Sequence, residues 1–173
     1  FFKKVIRTLL GRKKIPSGKS IERERMLKNK FISTIWITMA CFDLILFWGI
    51  YLRIKKLFFD FILCDRYLLD TLIDFEINFS QNDFKKNLLW IFLVKLLPIP
   101  DLALMLDVPF LESQKRLENK KEPFPDSYEI AKHRYSLYKK YYYFFEYKSL
   151  DTLLGKDYTA NIIYKEVNNL IKK

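Results

Sequence analysis

The stretch from Phe58 to Phe75, FFDFILCDRYLLDTLIDF, decides how the chain is interpreted, because its apolar run ends abruptly in Asp65-Arg66-Tyr67. The run from Phe61 to Cys64 is typical of a strand that is buried on both faces of a parallel sheet. Ligands of open α/β sheets bind at the carboxyl ends of the strands, so a carboxylate and a guanidinium at this position predict a binding site. The next residues, LLDTLIDFEI, predict a helix with Asp70 and Asp74 on one face.

The rest of the chain predicts an alternation of helices and strands. The apolar run PDLALMLDVP, residues 100–109, predicts a second buried strand that ends in Asp107 at the same sheet edge as Asp65. A third strand is predicted around residues 147–153. Helices are predicted for residues 20–54 with Ser20 as N-cap, for 81–97 after Ser80, from Phe110 onward, from Ser127 to Phe144 and for 159–172. The alternation predicts an α/β fold in which three parallel strands carry helices on both faces.

Three motifs in order, ILCDRYLLDT, PDLALMLDVP and KRLENKKE, resemble those of the thymidylate kinase family. The resemblance runs from about Phe58 to the end of the chain. It implies a P-loop kinase type of fold and an enzyme that transfers the γ-phosphoryl group of ATP to dTMP or a related nucleoside monophosphate. The resemblance also implies that the enzyme uses Mg²⁺ and is cytoplasmic, and it leaves open whether the protein forms a homodimer.

The resemblance also implies roles for individual residues. Asp65 is implied near Mg²⁺ and the transferred phosphate, Arg66 is implied to hold the acceptor monophosphate, and Arg116 is implied to neutralise charge on the donor phosphates. Phe75 stands where the family has a glutamine, and a phenyl ring can stack on a base without reading its edge. Further residues implied to bind the acceptor are Tyr67, Asp70, Thr71, Phe75 and Arg134, and those implied to bind ATP are Lys120 and Lys121.

A phosphate-binding loop is suggested by Ser17-Gly18-Lys19-Ser20, but the spacing fails because Lys13 occupies the position of the first glycine. Residues 1–20 are therefore predicted to be a solvated basic loop. The resemblance then implies that a strand, a P-loop and its helix precede Phe1. We expect residues 1–173 to form one N-terminally incomplete domain with a short lid at 108–126, inactive without the P-loop.

The charge of the chain is concentrated near its start. The net charge is +11, and residues 1–30 carry eleven Lys and Arg against Glu22 and Glu24. A nucleic-acid-binding domain spreads its cations over a folded face, so this distribution argues against nucleic acid as a partner. An anionic membrane surface or a phosphate-rich ligand remains compatible with it.

The apolar stretch from Phe31 to Leu52 leaves two interpretations open, because its only charge is Asp43. It is long enough to span a bilayer, which would make the protein a membrane-associated interaction protein. Alternatively it is a core helix with Asp43 near the ligand edge, which we favour. A third interpretation is a kinase-fold module that binds a nucleotide or partner without catalysis.

Cys41 and Cys64 are predicted to be buried free thiols, and His133, the single histidine, is predicted to be a surface residue.

Overall fold

The computed structural model describes residues 27–118, 120 and 126–172. The chain divides into two compact units, Phe1–Pro98 and Ile99–Lys173, called unit 1 and unit 2 below. The predicted basic loop at 1–20, the Ser20 cap and Lys121 lie outside the described residues. The single domain, its incomplete N-terminus and the lid at 108–126 stay predictions.

Unit 1 contains one long helical stretch, Lys30–Lys56, called the long helix below. It consists of α1 (Lys30–Leu44), a π-helical turn at Ile45–Tyr51 and α2 (Leu52–Lys56). Its described N-cap is Asn29, whose Oδ1 accepts hydrogen bonds from the backbone N–H groups of Phe31 and Ile32 at 3.0 and 3.3 Å. This cap satisfies N–H groups that have no partner inside the helix.

One side of the long helix is buried through α1 and the π-helical turn, whereas no residue of α2 is buried. The buried residues recur at every fourth position, which places them on one stripe of the helix surface. Near the C-terminal end of the stripe the backbone at Gly49 lies so close to Leu96 that a Cβ there would be 2.5 Å from Leu96 Cδ2. The stripe consists of Ser33, Ile37, Cys41, Ile45 and Gly49.

The predicted strand before Asp65 is wrong. Residues 59–67 are irregular, and Phe61 to Cys64 are exposed instead of buried, with Leu63 at 97% exposure. A strand needs a neighbour for its N–H and C=O groups, and in the described part of the chain this segment pairs with none. A short apolar run alone does not determine whether a segment pairs, so Asp65 does not end a strand beside Asp107.

Two helices follow this segment in the described part of unit 1. The predicted helix after Asp65-Arg66-Tyr67 is confirmed as α3 (Leu68–Asn78). The helix predicted for 81–97 is shorter: a 3₁₀ turn at Phe84–Lys86 precedes α4 (Leu88–Leu96). The cap of α4 is Asn87 and not Ser80, because the Asn87 Oδ1 accepts from the backbone N–H of Leu89 at 2.9 Å.

An aromatic cluster forms the core beside α3 and α4. The Phe75 ring has its centroid 5.4 Å from that of Phe84 and 5.5 Å from that of Trp90, and it contacts Phe79 edge-on. Trp90 is buried, whereas Phe92 is 52% exposed. Residues on the same short helix thus divide between the core and the surface.

Unit 2 contains a parallel pair of strands, β1 (Leu104–Asp107) and β2 (Lys148–Asp151). The helices α5 (Phe110–Glu118) and α6 (Tyr128–Tyr141), then a 3₁₀ turn at Tyr142–Phe145, connect them, as a parallel crossover requires. The final helix is α7 (Lys156–Ile171). The chain is therefore mostly helical with a small parallel sheet, and its described sheet has two strands where three were predicted. Helices on both faces stay a prediction.

The strands of unit 2 are shorter than predicted, and β1 is less buried. β1 covers four of the residues 100–109 predicted as a buried strand, and β2 lies within the predicted 147–153. Leu106 of β1 is 57% exposed, so β1 is not buried on both faces as predicted. In β2 the buried side chain is Leu150, and Leu137 and Tyr141 of α6 are buried in the same unit. A parallel strand is buried on both faces only where helices cover both faces of its sheet, and the helices do not cover Leu106.

Candidate functional site

An open groove in unit 1 holds the two residues on which the functional prediction depends. It has a volume of about 950 Å³ and lies between the long helix and the irregular segment that precedes α3. The helix contributes Asp43, Trp48 and Tyr51 to its lining, and the segment contributes Asp65 and Arg66. The groove, called the unit 1 groove below, thus combines two carboxylates, a guanidinium and aromatic rings.

The backbone at Arg66 has a φ of +66°, in the left-handed region. A residue with a Cβ is disfavoured there by about 1–2 kcal/mol. Such conformations persist only where the surrounding structure imposes them, and they are frequent at binding sites. In the described residues neither the Asp65 carboxylate nor the Arg66 guanidinium has a hydrogen-bonded or ion-paired partner, and both residues are exposed. Their polar groups are available to a ligand.

The residues that follow Arg66 hold the turn in place. The Tyr67 hydroxyl donates a hydrogen bond to the Pro98 carbonyl at 2.9 Å, and its ring lies 4.8 Å from that of Trp48. The Asp70 carboxylate accepts from the backbone N–H of Tyr67 at 3.3 Å, at the start of α3. Thr71 is half-buried in the first turn of the same helix. Tyr67 and Asp70 therefore position the turn that carries Asp65 and Arg66.

Phe75, predicted to contact the base, is buried in the aromatic cluster with 7% exposure. Rings in such a cluster are already in contact on several sides. The placement of Phe75 is typical of core packing, and the aromatic rings that line the unit 1 groove are instead those of Phe47, Trp48 and Tyr51.

The carboxyl edge of the strand pair in unit 2 forms a second polar cluster. The Asp107 carboxylate is paired with the Lys139 ammonium of α6, and the Thr152 hydroxyl donates to the Asp107 carbonyl at 2.9 Å. The hydrogen bond from Lys139 to Asp107 raises the pKa of the Lys139 ammonium. Lys139 therefore remains charged through the physiological range and neutralises the acid at the end of β1.

Arg116 and Arg134, two predicted phosphate ligands, are paired with acids of unit 2. The Arg116 guanidinium bonds Glu112 at 3.0 Å and donates to the hydroxyl and carbonyl oxygens of Thr152, each at 3.3 Å. Arg134 bonds the Asp126 carboxylate at 2.9 Å. Lys120 is exposed. Both arginines therefore connect elements of unit 2 in this structure.

The two cysteines differ from the prediction and from each other. Cys41 is buried on the inner stripe of the long helix, and burial raises the pKa of its thiol to about 11. Cys64 is exposed at the rim of the unit 1 groove, contrary to the predicted burial, and partial desolvation raises its pKa as well. His133 is exposed, as predicted.

The sequence identified some of these residues and missed others. Asp43 was expected near the ligand edge because it is the one charge in a long apolar stretch, and it lines the groove beside Asp65 and Arg66. Trp48 was missed, although it follows Asp43 by little more than one helical turn. The pairing of Lys139 with Asp107 was also missed, since a separation of 32 residues carries no local signal.

The chain was compared with families, curated proteins and solved structures. No family model, no curated protein and no solved structure matches it. The geometry of the unit 1 groove is therefore the basis for any assignment of function.

Proposed function

We propose that the protein is a nucleoside monophosphate kinase-like phosphotransferase with a P-loop kinase type of fold, and that the Asp65-Arg66 turn binds the phosphate of the acceptor. The observation that carries the proposal is the arrangement of Asp65 and Arg66 on one strained turn of the unit 1 groove, with no partner for either among the described residues. Phosphoryl transfer depends mostly on positioning and charge neutralisation, which these two groups supply.

The guanidinium of Arg66 suits a phosphate monoester. Its planar set of N–H donors matches two phosphate oxygens, and such charge-assisted pairs are stronger than neutral hydrogen bonds. The left-handed backbone holds the side chain at the groove, and Tyr67 and Asp70 fix the turn from behind. Trp48 and Tyr51 offer the aromatic surface on which a base can stack.

Mg²⁺ fits the acids of the groove. Mg²⁺ is held in kinase sites by one or two carboxylates together with phosphate oxygens and waters. Asp65 and Asp43 both line the groove, so Asp65 is the proposed ligand and Asp43 the second acid that would support it. Within the described ranges, no three or more His, Cys, Asp or Glu side chains are placed so that they could together hold a metal ion. Phosphate oxygens of the bound nucleotide would therefore complete the coordination of Mg²⁺.

The described residues fit ATP less well than they fit the acceptor phosphate and Mg²⁺. A donor triphosphate needs a cradle of backbone N–H groups and cations. Among the described residues, Arg116 already bonds Glu112 and Thr152, and Lys120 is a single exposed cation. The proposal for the described residues is therefore limited to the acceptor phosphate and the metal.

The strand pair of unit 2 supports the kinase type of fold. Parallel strands joined through helices are the repeating unit of α/β phosphate-binding folds, and ligands bind at the carboxyl ends of such strands. Asp107 and Thr152 lie at this end of β1 and β2, beside the cations Lys139 and Arg116.

The proposal is tested by titrating the full chain with dTMP in the presence of Mg²⁺ by calorimetry, with tryptophan fluorescence, to which Trp48 in the groove contributes, as a second signal. We expect Arg66→Ala to weaken binding by about tenfold or more, since it removes charge-assisted hydrogen bonds. The affinity of Arg66→Lys for dTMP should lie between those of the wild type and Arg66→Ala, because an ammonium keeps the positive charge but cannot bond two phosphate oxygens in the plane of a guanidinium.

A matched control is Lys132→Ala, which removes an exposed cation from α6. It should leave the affinity unchanged. Equal affinity of the wild type and Arg66→Ala would overturn the assigned role. Tight binding of dTMP without any transfer from ATP would favour the non-catalytic binding module over the enzyme.

A further inference from the structure

The long helix has an apolar face on the side opposite its buried stripe. On most helices of water-soluble proteins, that outer side is polar. Here the exposed positions carry large apolar side chains, and Phe31 is 74% and Phe47 54% exposed. Called the outer face below, this surface consists of Phe31, Ile35, Phe42, Leu46, Phe47, Ile50, Tyr51 and Ile54.

The outer face continues into the segment that follows α2. Leu57 and Phe58 are 79% and 74% exposed, and Phe59, Phe61 and Leu63 are exposed as well. Contiguous apolar surface of this extent is rare on soluble monomers and marks an interaction site. Phenylalanine and leucine side chains such as these are typical of the apolar face of helices that lie in a membrane interface.

The charges around the outer face are almost all positive. Between Leu27 and Phe59 the chain carries five cations and a single acid, Asp43, which faces the unit 1 groove. Arg53, Lys55 and Lys56 cluster in α2, and the Lys55 ammonium lies 4.8 Å from the centre of the Phe59 ring. Cations next to apolar side chains complement the anionic headgroups and the acyl chains of a lipid surface.

The length and composition of the long helix would also allow it to cross a membrane. It has 27 residues, its most apolar window of 18 residues has a mean hydropathy of 1.9, and by these two properties it is the one helix of the described chain that qualifies. Its inner stripe, however, packs on the protein: Gly49 lies against Leu96, and an Asn82 amide N–H donates to the Ser33 hydroxyl. A helix that spanned the bilayer would lose these contacts, whereas a helix that lies in the interface keeps them.

We propose that the outer face lies in the interfacial region of an anionic lipid bilayer, with α2 and its cations at the headgroups. The inner stripe remains packed on unit 1, so the protein is held on the membrane and does not cross it. Leu46, Phe47 and Tyr51 of the outer face also line the unit 1 groove, so the two proposals share part of one surface. Ile50, Lys55 and Lys56 lie outside the groove lining and therefore test the membrane proposal separately.

The experiment is flotation of the full chain with vesicles, either of phosphatidylcholine alone or of equal parts of phosphatidylcholine and phosphatidylglycerol. We expect flotation with the anionic vesicles and about tenfold weaker binding to the neutral ones. Ile50→Asp, on the outer face, should weaken binding to anionic vesicles by about tenfold or more. Lys55→Glu combined with Lys56→Glu should do the same and should also reduce the salt dependence of binding.

The matched control is Leu111→Asp, which places the same charge at an exposed leucine of unit 2 and should leave flotation unchanged. All variants are checked for retained helicity by circular dichroism. Absence of flotation with anionic vesicles, or equal flotation of wild type and Ile50→Asp, would overturn the proposal. So would resistance to extraction by alkaline carbonate, which indicates a spanning helix, and a stable dimer in lipid-free buffer that Ile50→Asp dissociates. If Ile50→Asp binds vesicles more weakly but keeps its affinity for dTMP, membrane binding and the proposed function are distinct properties of the protein.

Discussion

Arg66 combines an unfavourable backbone with an available side chain. Its φ of +66° suits glycine better than arginine, and the described residues offer its guanidinium no partner. An arginine at this position therefore lowers the stability of the turn without a compensating hydrogen bond or ion pair from the described residues. The strain is explained if the side chain is kept for a ligand.

This argument predicts opposite effects of one substitution on stability and on binding. Arg66→Gly should leave the free energy of unfolding unchanged or raise it by up to about 1 kcal/mol, because relief of strain outweighs the added freedom of the unfolded chain. The same variant should lose affinity for dTMP. Urea unfolding measures the first effect and calorimetry the second.

The control for this prediction is Arg66→Val, since a β-branched residue is poorly tolerated at positive φ. It should lower the free energy of unfolding by about 1–2 kcal/mol relative to the glycine variant. Equal stability of the glycine and valine variants would show that the turn is not strained in solution.

The cysteines give a second prediction at the residue scale. Iodoacetamide reacts with the thiolate, so near neutral pH it should label exposed Cys64 and leave buried Cys41 intact. The raised pKa of Cys41, about 11 against an ordinary 9.0, means that the folded protein resists ionisation of this thiol. Below about pH 9 the Cys41 thiol is protonated in both the folded and the unfolded protein, so its contribution to the free energy of unfolding is constant. As the pH rises from there toward 11, the thiol ionises first in the unfolded protein, and the free energy of unfolding falls.

Peptide mass spectrometry after labelling checks this prediction, and Cys64→Ser serves as the control that should remain unlabelled under native conditions. Rapid labelling of Cys41 in the folded protein would contradict its burial. Replacement of Cys41 by alanine should flatten the alkaline loss of stability.

At the scale of elements, the close approach of the long helix to α4 depends on Gly49. A Cβ at Gly49 would be 2.5 Å from Leu96 Cδ2 and 3.1 Å from its Cγ. The terminal methyl group of a leucine can move, so alanine should be accommodated, whereas a larger side chain would force the helices apart.

Gly49→Leu is therefore expected to lower the free energy of unfolding by about 2 kcal/mol. In the double variant with Leu96→Ala, the free energy of unfolding should fall by less than the sum of the two single effects, because the alanine leaves the space that the new leucine needs. Thr34→Leu, at an exposed position of α1, should change stability by less than about 0.5 kcal/mol. Additive effects of Gly49→Leu and Leu96→Ala would contradict the contact.

The elements also show what the sequence can and cannot predict. Caps and periodic patterns predicted α3, α5, α6 and β2 close to their bounds, since the interactions that begin and end them are local. The strand from Phe61 to Cys64 was predicted wrongly, because pairing depends on a distant partner that no local pattern reveals. In the site, Asp65 and Arg66, which were predicted as metal and phosphate ligands at a strand end, line the groove, whereas the contribution of Trp48 depends on the fold.

On the scale of the whole molecule, tryptophan provides a probe of one unit. All three tryptophans, Trp36, Trp48 and Trp90, precede Pro98 and so belong to unit 1. Trp90 is part of the aromatic cluster around Phe75, and Trp48 lines the groove. Tryptophan fluorescence therefore reports on the core and the candidate site of unit 1.

Phe75→Ala should lower the free energy of unfolding by about 3–5 kcal/mol, since it removes a buried ring from contact with three others. The measurement is the midpoint of urea unfolding by tryptophan fluorescence. Phe92→Ala, which removes an exposed ring from the same helix as Trp90, is the control and should have a small effect. A change in dTMP affinity of folded Phe75→Leu, with stability retained, would instead support contact with the base.

The π-helical turn at Ile45–Tyr51 has a consequence for anyone who reads faces from the sequence. Each of its hydrogen bonds spans one residue more than an α-helical bond does. A helical wheel drawn at the constant angle of an α-helix therefore drifts out of phase through the turn, and the error is largest at α2. The turn holds about one residue more than a regular α-helix needs for the same rotation. Deletion of a single residue within it should therefore let the stretch wind as a regular α-helix and keep Arg53, Lys55 and Lys56 close to their present direction.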